Sequence, residues 1–231
     1  MARSGREVDA GRRRPHDAAL TEPTSVYLEV GAKRAFASAA DWPGWCRGGR
    51  NEQAALEALE AYTARYASVL RLAKLDPPPA VTGFQVVERL SGSASTDFGV
   101  PGMPASHESR ALGGREAARM CDLVRACWDY LDRVRAKAPA ALRKGPRGGG
   151  RDRDAMFDHV LGAEMEYAKR ISLRLKAPDG QDSPGIQEFR RAIIEAMARP
   201  TGEERWPMRY AARRTAWHAL DHAWEMEDRS K

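Results

Sequence analysis

Residues 213–229, RRTAWHALDHAWEMEDR, decide how this chain folds. With Tyr210 just upstream, the large apolar residues Tyr210, Trp217, Leu220 and Trp224 recur at intervals of seven, three and four, the period of one helix face. Pro207, favoured in a first helical turn, opens this helix, which continues almost to residue 231. His218 and His222 flank the stripe four residues apart, so their imidazoles lie one above the other at the edge of the inward face. A helix with such a stripe cannot bury it alone.

The sequence supplies three companions. Residues 185–198 carry Ile186, Phe189, Ile193 and Met197 on one face, and Pro200-Thr201-Gly202 ends that helix. Residues 152–175 carry Met156, Val160, Ala163, Tyr167 and Ile171, and residues 115–136 carry Ala118, Cys121, Val124, Trp128, Leu131 and Val134. A basic, Gly-rich loop at 144–151 and a Gly- and Pro-containing break at 177–185 separate them. Four amphipathic helices joined in this way bury their stripes against each other, so residues 113–231 are expected to form a four-helix bundle.

The first half has a different pattern. Residues 25–30 and 34–40 read as a hairpin about Gly31, Ala32 and Lys33. Asp41-Trp42-Pro43-Gly44-Trp45 is a turn, in which Trp42 and Trp45 can pack against the bundle, and Gly48-Gly49 prolongs the break. Asn51 caps a helix whose Ala55, Leu56, Leu59, Tyr62, Tyr66, Val69 and Leu70 recur at threes and fours until Pro77, Pro78 and Pro79 stop it. Residues 83–90 read as a strand and 95–100 as a weaker one. The fold class is therefore α+β: a small β-β-α-β module over 24–105, then the bundle, with residues 1–23 a disordered basic tail.

Charge argues against nucleic acid. The net charge is +6, but residues 1–14 carry +3 and residues 143–153 carry +4, which leaves −1 for the remainder. The excess sits in stretches without helical or strand periodicity, not on a shaped face. No apolar run approaches the roughly 20 residues that cross a bilayer, and the first twenty residues have no apolar secretory core. A cytoplasmic location without membrane partners is expected. Cys46, Cys121 and Cys127 lack C-x-x-C spacing and read as free thiols filling core or surface.

The chemistry rests on histidine. Two imidazoles at i and i+4 can reach one ion or can simply bond neighbouring carboxylates or backbone. A third, His159, stands beside Met156, Val160 and Ala163 on the second bundle helix and faces the fourth if the two pack side by side. Three such ligands would leave coordination positions open, the mark of a catalytic site as against a closed structural one. Glu225, three residues after His222, is the candidate catalytic carboxylate, as general base or as orienter of a ligand imidazole. Glu166, seven after His159, reads as an exposed ion pair, and Asp158 and Asp221, each next to a histidine, point away and read as solvated.

Residues 154–170, DAMFDHVLGAEMEYAKR, together with residues 213–229, resemble the DinB-like superfamily of bacterial metal-binding four-helix bundles. The resemblance covers about residues 113–231. It implies one ligand histidine on the second helix and two on the fourth, matching His159, His218 and His222, with zinc or nickel as the divalent metal. It also implies thiol-dependent transferase or isomerase chemistry, hence a low-molecular-weight thiol. A metal-dependent transferase, isomerase or hydrolase acting on a small-molecule substrate is therefore expected, with a homodimer compatible. Residues 26–59, two strands followed by Asp41-Trp42-Pro43-Gly44 and an Ala/Leu helix, resemble the HicB-like module. That second resemblance implies a protein-binding or regulatory half, and with it a reading of the chain as a non-catalytic ligand- or protein-binding module.

Overall fold

The computed structural model describes residues 23–75, 83–145 and 149–231. Nearly all of the basic tail, the three prolines at 77–79 and the middle of the basic loop 144–151 lie outside the described residues. The chain is α+β, a four-stranded sheet with its helices followed by four long helices.

Strands β1 (Thr24–Val30) and β2 (Ala35–Ala39) form the expected antiparallel hairpin, closed by the Gly31 amide donating to the Arg34 carbonyl at 2.9 Å. All five residues of β2 are buried. Its alanines suit that place, because small side chains let neighbouring elements approach the sheet closely. Gly48-Gly49, expected to be a break, instead belongs to a third strand, β3 (Cys46–Gly49), antiparallel to β2. Close approach explains these glycines: a Cβ on Gly48 would stand 2.8 Å from the Phe36 ring, and one on Gly49 2.4 Å from the Ala55 amide nitrogen.

Asn51 caps the next helix as expected, its side chain accepting from the Ala54 amide at 2.9 Å. The single helix expected there is two, α1 (Glu52–Ala61) and α2 (Thr63–Leu72), divided at Tyr62. Strand β4 (Phe84–Ser91) then returns parallel to β1 and completes the order β3-β2-β1-β4. Residues 95–100 do not form the expected strand. Local capping wins there: Ser93 and Thr96 make a capping box for a short helix, α3 (Ala94–Phe98), and Gly99, at φ 116°, ends it in the left-handed region.

The four long helices are α4 (Gly114–Lys137), α5 (Arg153–Arg170), α6 (Ser183–Ala198) and α7 (Met208–Arg229). Their side-chain contacts fix their directions. Glu116 meets Arg209 and Tyr130 meets Glu227, so α4 and α7 run parallel. Tyr167 meets Arg214 and His159 meets His222, so α5 runs antiparallel to α7. Asp132 pairs with Arg190 and Cys121 reaches the Ile194 carbonyl, so α6 runs antiparallel to α4. Helices α5 and α6 are therefore parallel, and residues 171–182 carry the chain back between them.

Both halves contribute to one apolar core, in which Val26, Leu28, Trp45 and Leu59 join Val124, Leu131, Val160 and Leu220. The Asp41–Trp45 turn is its hinge with the bundle. Gly44 adopts φ 92°, and a Cβ there would come within 2.8 Å of Leu220 and 3.2 Å of the Cys127 sulfur. Trp45 is fully buried, donates from Nε1 to the Leu59 carbonyl at 3.0 Å and stacks on Tyr66. All three cysteines are free and buried. Among the described residues no helix is long and apolar enough to cross a membrane.

Candidate metal centre

Every residue of α7 from Tyr210 to Leu220 is buried, although the helix carries far more than one apolar stripe. The reason is that α7 is enclosed on several sides. Bundle helices α4 and α5 cover part of its circumference, and the sheet covers another part, where Trp217 meets Phe36 edge to face with centroids 6.3 Å apart. Several polar side chains on that covered side find partners in the N-terminal half. Arg213 pairs with buried Glu108 at 2.7 Å, and the Tyr210 hydroxyl donates to the Gly102 carbonyl at 2.6 Å. Arg47 of β3 pairs with Asp221 at 2.8 Å. Asp221 is thus an interdomain ion pair and not the solvated carboxylate expected from sequence, whereas Asp158 is exposed and Glu166 pairs with Lys169 at 2.6 Å.

The structure brings His159, His218 and His222 together. Their ring centroids are 5.0 Å (His159 to His218), 5.1 Å (His159 to His222) and 4.7 Å (His218 to His222) apart. One nitrogen from each lies within 4.8 Å of those of the other two. Zinc–nitrogen bonds of about 2.0–2.1 Å in tetrahedral geometry need nitrogens roughly 3.4 Å apart, so a bound ion would require the nitrogens to close by at most about 1.4 Å. Among the described residues this is the one group of three His, Cys, Asp or Glu side chains close enough to share an ion.

The environment suits a metal better than a proton. Burial, then His222 and His159, hold the His218 imidazole well below the usual histidine range, and burial with His222 lowers His159 as well. Neutral imidazoles are the ligand form. His218 is 7% exposed and its Nδ1 is buried with no hydrogen-bond partner. A buried ring nitrogen with no hydrogen-bond partner, on an imidazole beside two others, offers a lone pair that an ion could satisfy.

Glu225 lies where its sequence spacing places it. Its Oε2 is 3.1 Å from His222 Nδ1, and its Oε1 accepts from Arg229 at 2.8 Å. Those two contacts hold its carboxyl below the usual range, the His222 bond contributing most. Arg229 is itself anchored on the Arg143 carbonyl at 2.7 Å. With the proton on Nδ1, His222 keeps Nε2 as its free ligand atom.

One pair beside the triad was not singled out from sequence. Arg214 donates to the Tyr167 hydroxyl at 3.1 Å and to the Pro101 carbonyl at 2.9 Å, and the Tyr167 ring stands 6.0 Å from that of His218. The signal was present in the spacing: Arg214 is one turn before His218, and Tyr167 is eight residues after His159, on the same face. Tyr167 reads as core by periodicity alone. Compared with family models, with curated proteins and with solved structures, the chain matches none.

Proposed function

We propose that this chain is a divalent-metal-dependent enzyme of the DinB-like type, acting on a small molecule with His159, His218 and His222 as the metal ligands. The observation that carries the reading is the convergence of three imidazoles from two antiparallel helices, with one buried nitrogen left without a partner. Zinc or nickel suits an all-imidazole donor set. Three protein ligands, with no fourth among the described residues, favour an open, catalytic centre. A bound ion there supplies Lewis-acid chemistry and lowers the pKa of a thiol or water, the common requirement of transferase, isomerase and hydrolase reactions.

The chain's own residues divide the remaining work. Glu225 is engaged by both oxygens, so it acts as a positioning residue that fixes the His222 tautomer and ring plane, not as a free general base. Tyr167, its hydroxyl held by Arg214, stands on the α5 side to donate a hydrogen bond to substrate. A low-molecular-weight thiol as co-substrate and a cytoplasmic setting complete the proposal. Three buried, unbridged cysteines suit a reducing compartment.

The test is metal analysis of protein purified without a histidine tag, paired with His222→Ala. About one zinc or nickel per chain is expected in the wild type, with steep loss in the variant. The variant should nonetheless keep its helicity, because the core around Trp45, Leu123, Leu131, Phe157 and Trp224 is closed without the ion. Wholesale unfolding of His222→Ala would mean a structural ion. Metal-free wild type would instead favour the non-catalytic binding module, for which Phe98, 86% exposed beside the sheet, offers a contact point.

A further inference from the structure

Helices α2 and α4 pack together and leave a groove of about 880 Å³ between them, with the last turn of α7 as a third wall. Each helix presents one face to it at spacings of three and four: Arg65, Ser68, Arg71 and Leu72 from α2, and Tyr130, Arg133, Val134 and Lys137 from α4. Between two packed helices such faces are ordinarily apolar. Here cations flank Leu72 and Val134. Outside the basic tail and the basic loop the net charge of the chain is −1, so this groove is a local concentration of positive charge and not a share of a general excess.

The acid in the groove is already engaged. Glu227 accepts from Arg65 at 2.7 Å and from the Tyr130 hydroxyl at 2.9 Å, and Lys231 stands 3.9 Å from Asp228. Arg71, Arg133 and Lys137 are left over. Arg71 donates to the Ser68 hydroxyl at 2.8 Å and meets no carboxylate, and Arg133 and Lys137 have no ion-pair or hydrogen-bond partner among the described residues. All three are exposed, so a solute reaches them. A helix favours cations in its last turn, which accounts for Arg71 and Lys137 one by one. Arg133, a turn earlier in α4, lies outside that role, and no helix dipole calls for two helices to direct their cations into one groove.

An occupant that answers these groups must be small enough for the groove and must carry several negative charges close together. A volume of this size is in the range of small-molecule sites. Guanidinium forks meet two phosphate oxygens at once, and an ammonium serves phosphate as a point charge. A chain of phosphates answers Arg71, Arg133 and Lys137 together, where a single carboxylate answers one. We propose that this groove binds a linear oligophosphate, free or as the phosphate chain of a nucleotide. None of the three histidines lines it, so the site does not depend on the metal reading.

Isothermal titration calorimetry on the full chain at low ionic strength tests this with tripolyphosphate, ATP and inorganic phosphate. Tripolyphosphate and ATP should both bind, at least about tenfold more tightly than inorganic phosphate. Equal affinity for those two assigns the groove to the phosphate chain alone, and tighter binding of ATP adds a place for the nucleoside on Leu72 and Val134. Arg133→Gln and Lys137→Gln, at exposed positions that leave the core intact, should each weaken tripolyphosphate about fivefold and together about 25-fold. Arg174→Gln, an exposed cation outside the groove, should bind as wild type does. His222→Ala should also bind as wild type does, which separates this site from the metal centre. No heat at millimolar tripolyphosphate would overturn the proposal. So would an affinity unmoved in the double variant or equally weakened by Arg174→Gln, since the anion is then drawn to the basic chain at large. Loss of binding in His222→Ala would overturn it as well, by placing the anion at the imidazoles.

Discussion

Glu164 sits on α5 fully buried, with Trp128 Nε1 donating to its Oε1 at 2.6 Å and Arg190 Nε 3.8 Å from its Oε2, within ion-pair distance but not hydrogen-bonded. Burial is the largest influence on it and lifts its carboxyl from 4.5 to about 7, against the opposing pull of Arg190 and Trp128. The folded chain therefore holds this proton to a higher pH than the unfolded chain does. Below about pH 4.5 both states are protonated and Glu164 costs nothing. Between there and about pH 7 the unfolded state releases the proton first, so stability falls as pH rises, and above pH 7 the loss is constant. A rise from 4.5 to about 7 corresponds to about 3 kcal/mol. Glu164→Gln keeps the acceptor for Trp128 and removes the titration. Whatever constant offset the new amide introduces beside Arg190, the stability of the variant relative to wild type should move by about 3 kcal/mol in its favour between about pH 4.5 and pH 8. Urea denaturation of both proteins across that range measures it. A relative stability that stays flat, or that moves against the variant as pH rises, would refute the reasoning and show that Arg190 holds Glu164 as a carboxylate.

Glu225→Gln should lower zinc affinity by about 10- to 100-fold in chelator competition while leaving metal-free stability nearly unchanged, since the residue acts on His222 from a partly exposed position. Unchanged affinity would remove Glu225 from the site. Gly44→Ala should cost about 2 kcal/mol or more in thermal denaturation, because a side chain at φ 92° must also displace Leu220 from contact at 2.8 Å. A variant as stable as wild type would mean that the turn does not seat against α7 and α4.

The parts of this architecture legible in sequence are those set by one-dimensional period. The stripe of Tyr210, Trp217, Leu220 and Trp224 identifies α7, and i, i+4 spacing puts His218 and His222 on one side of it, because helix geometry leaves no other arrangement. Glu225 follows for the same reason. What was not legible depends on partners distant in sequence. Gly48-Gly49 looks like a break until Phe36 and α1 are placed on it, when it becomes the one pair of residues narrow enough for that strand. Residues 95–100 alternate like a strand, and only the capping box of Ser93 with Thr96 makes them a helix. Asp221 looks solvated because helix geometry points it away from the neighbouring histidine; Arg47, which holds it, arrives from 174 residues away.

That last contact bears on why a bundle carrying its own candidate ligands is joined to a sheet at all. An isolated bundle helix is fixed in rotation only by the side that faces its neighbours, and small rotations of α7 would swing His218 and His222 relative to His159. Here the opposite side is held too. Tyr210 bonds Gly102, Arg213 pairs with buried Glu108, Arg47 holds Asp221, and Arg65 of α2 takes Glu227 at 2.7 Å and Asp228 at 2.9 Å. These contacts are spread from the first turn of α7 to its last, so they resist rotation along its whole length. Arg47 and Arg65 also lie over the Tyr62 ring at 4.1 and 4.9 Å, which ties the α1–α2 junction to the same end of the helix. The break at Tyr62 that divides α1 from α2 is thus where the N-terminal half grips α7 one turn from His222. The sheet and its helices hold the histidine-bearing helix at one angle, so closing the three imidazoles on an ion would be a matter of side-chain adjustment and not of helix rotation.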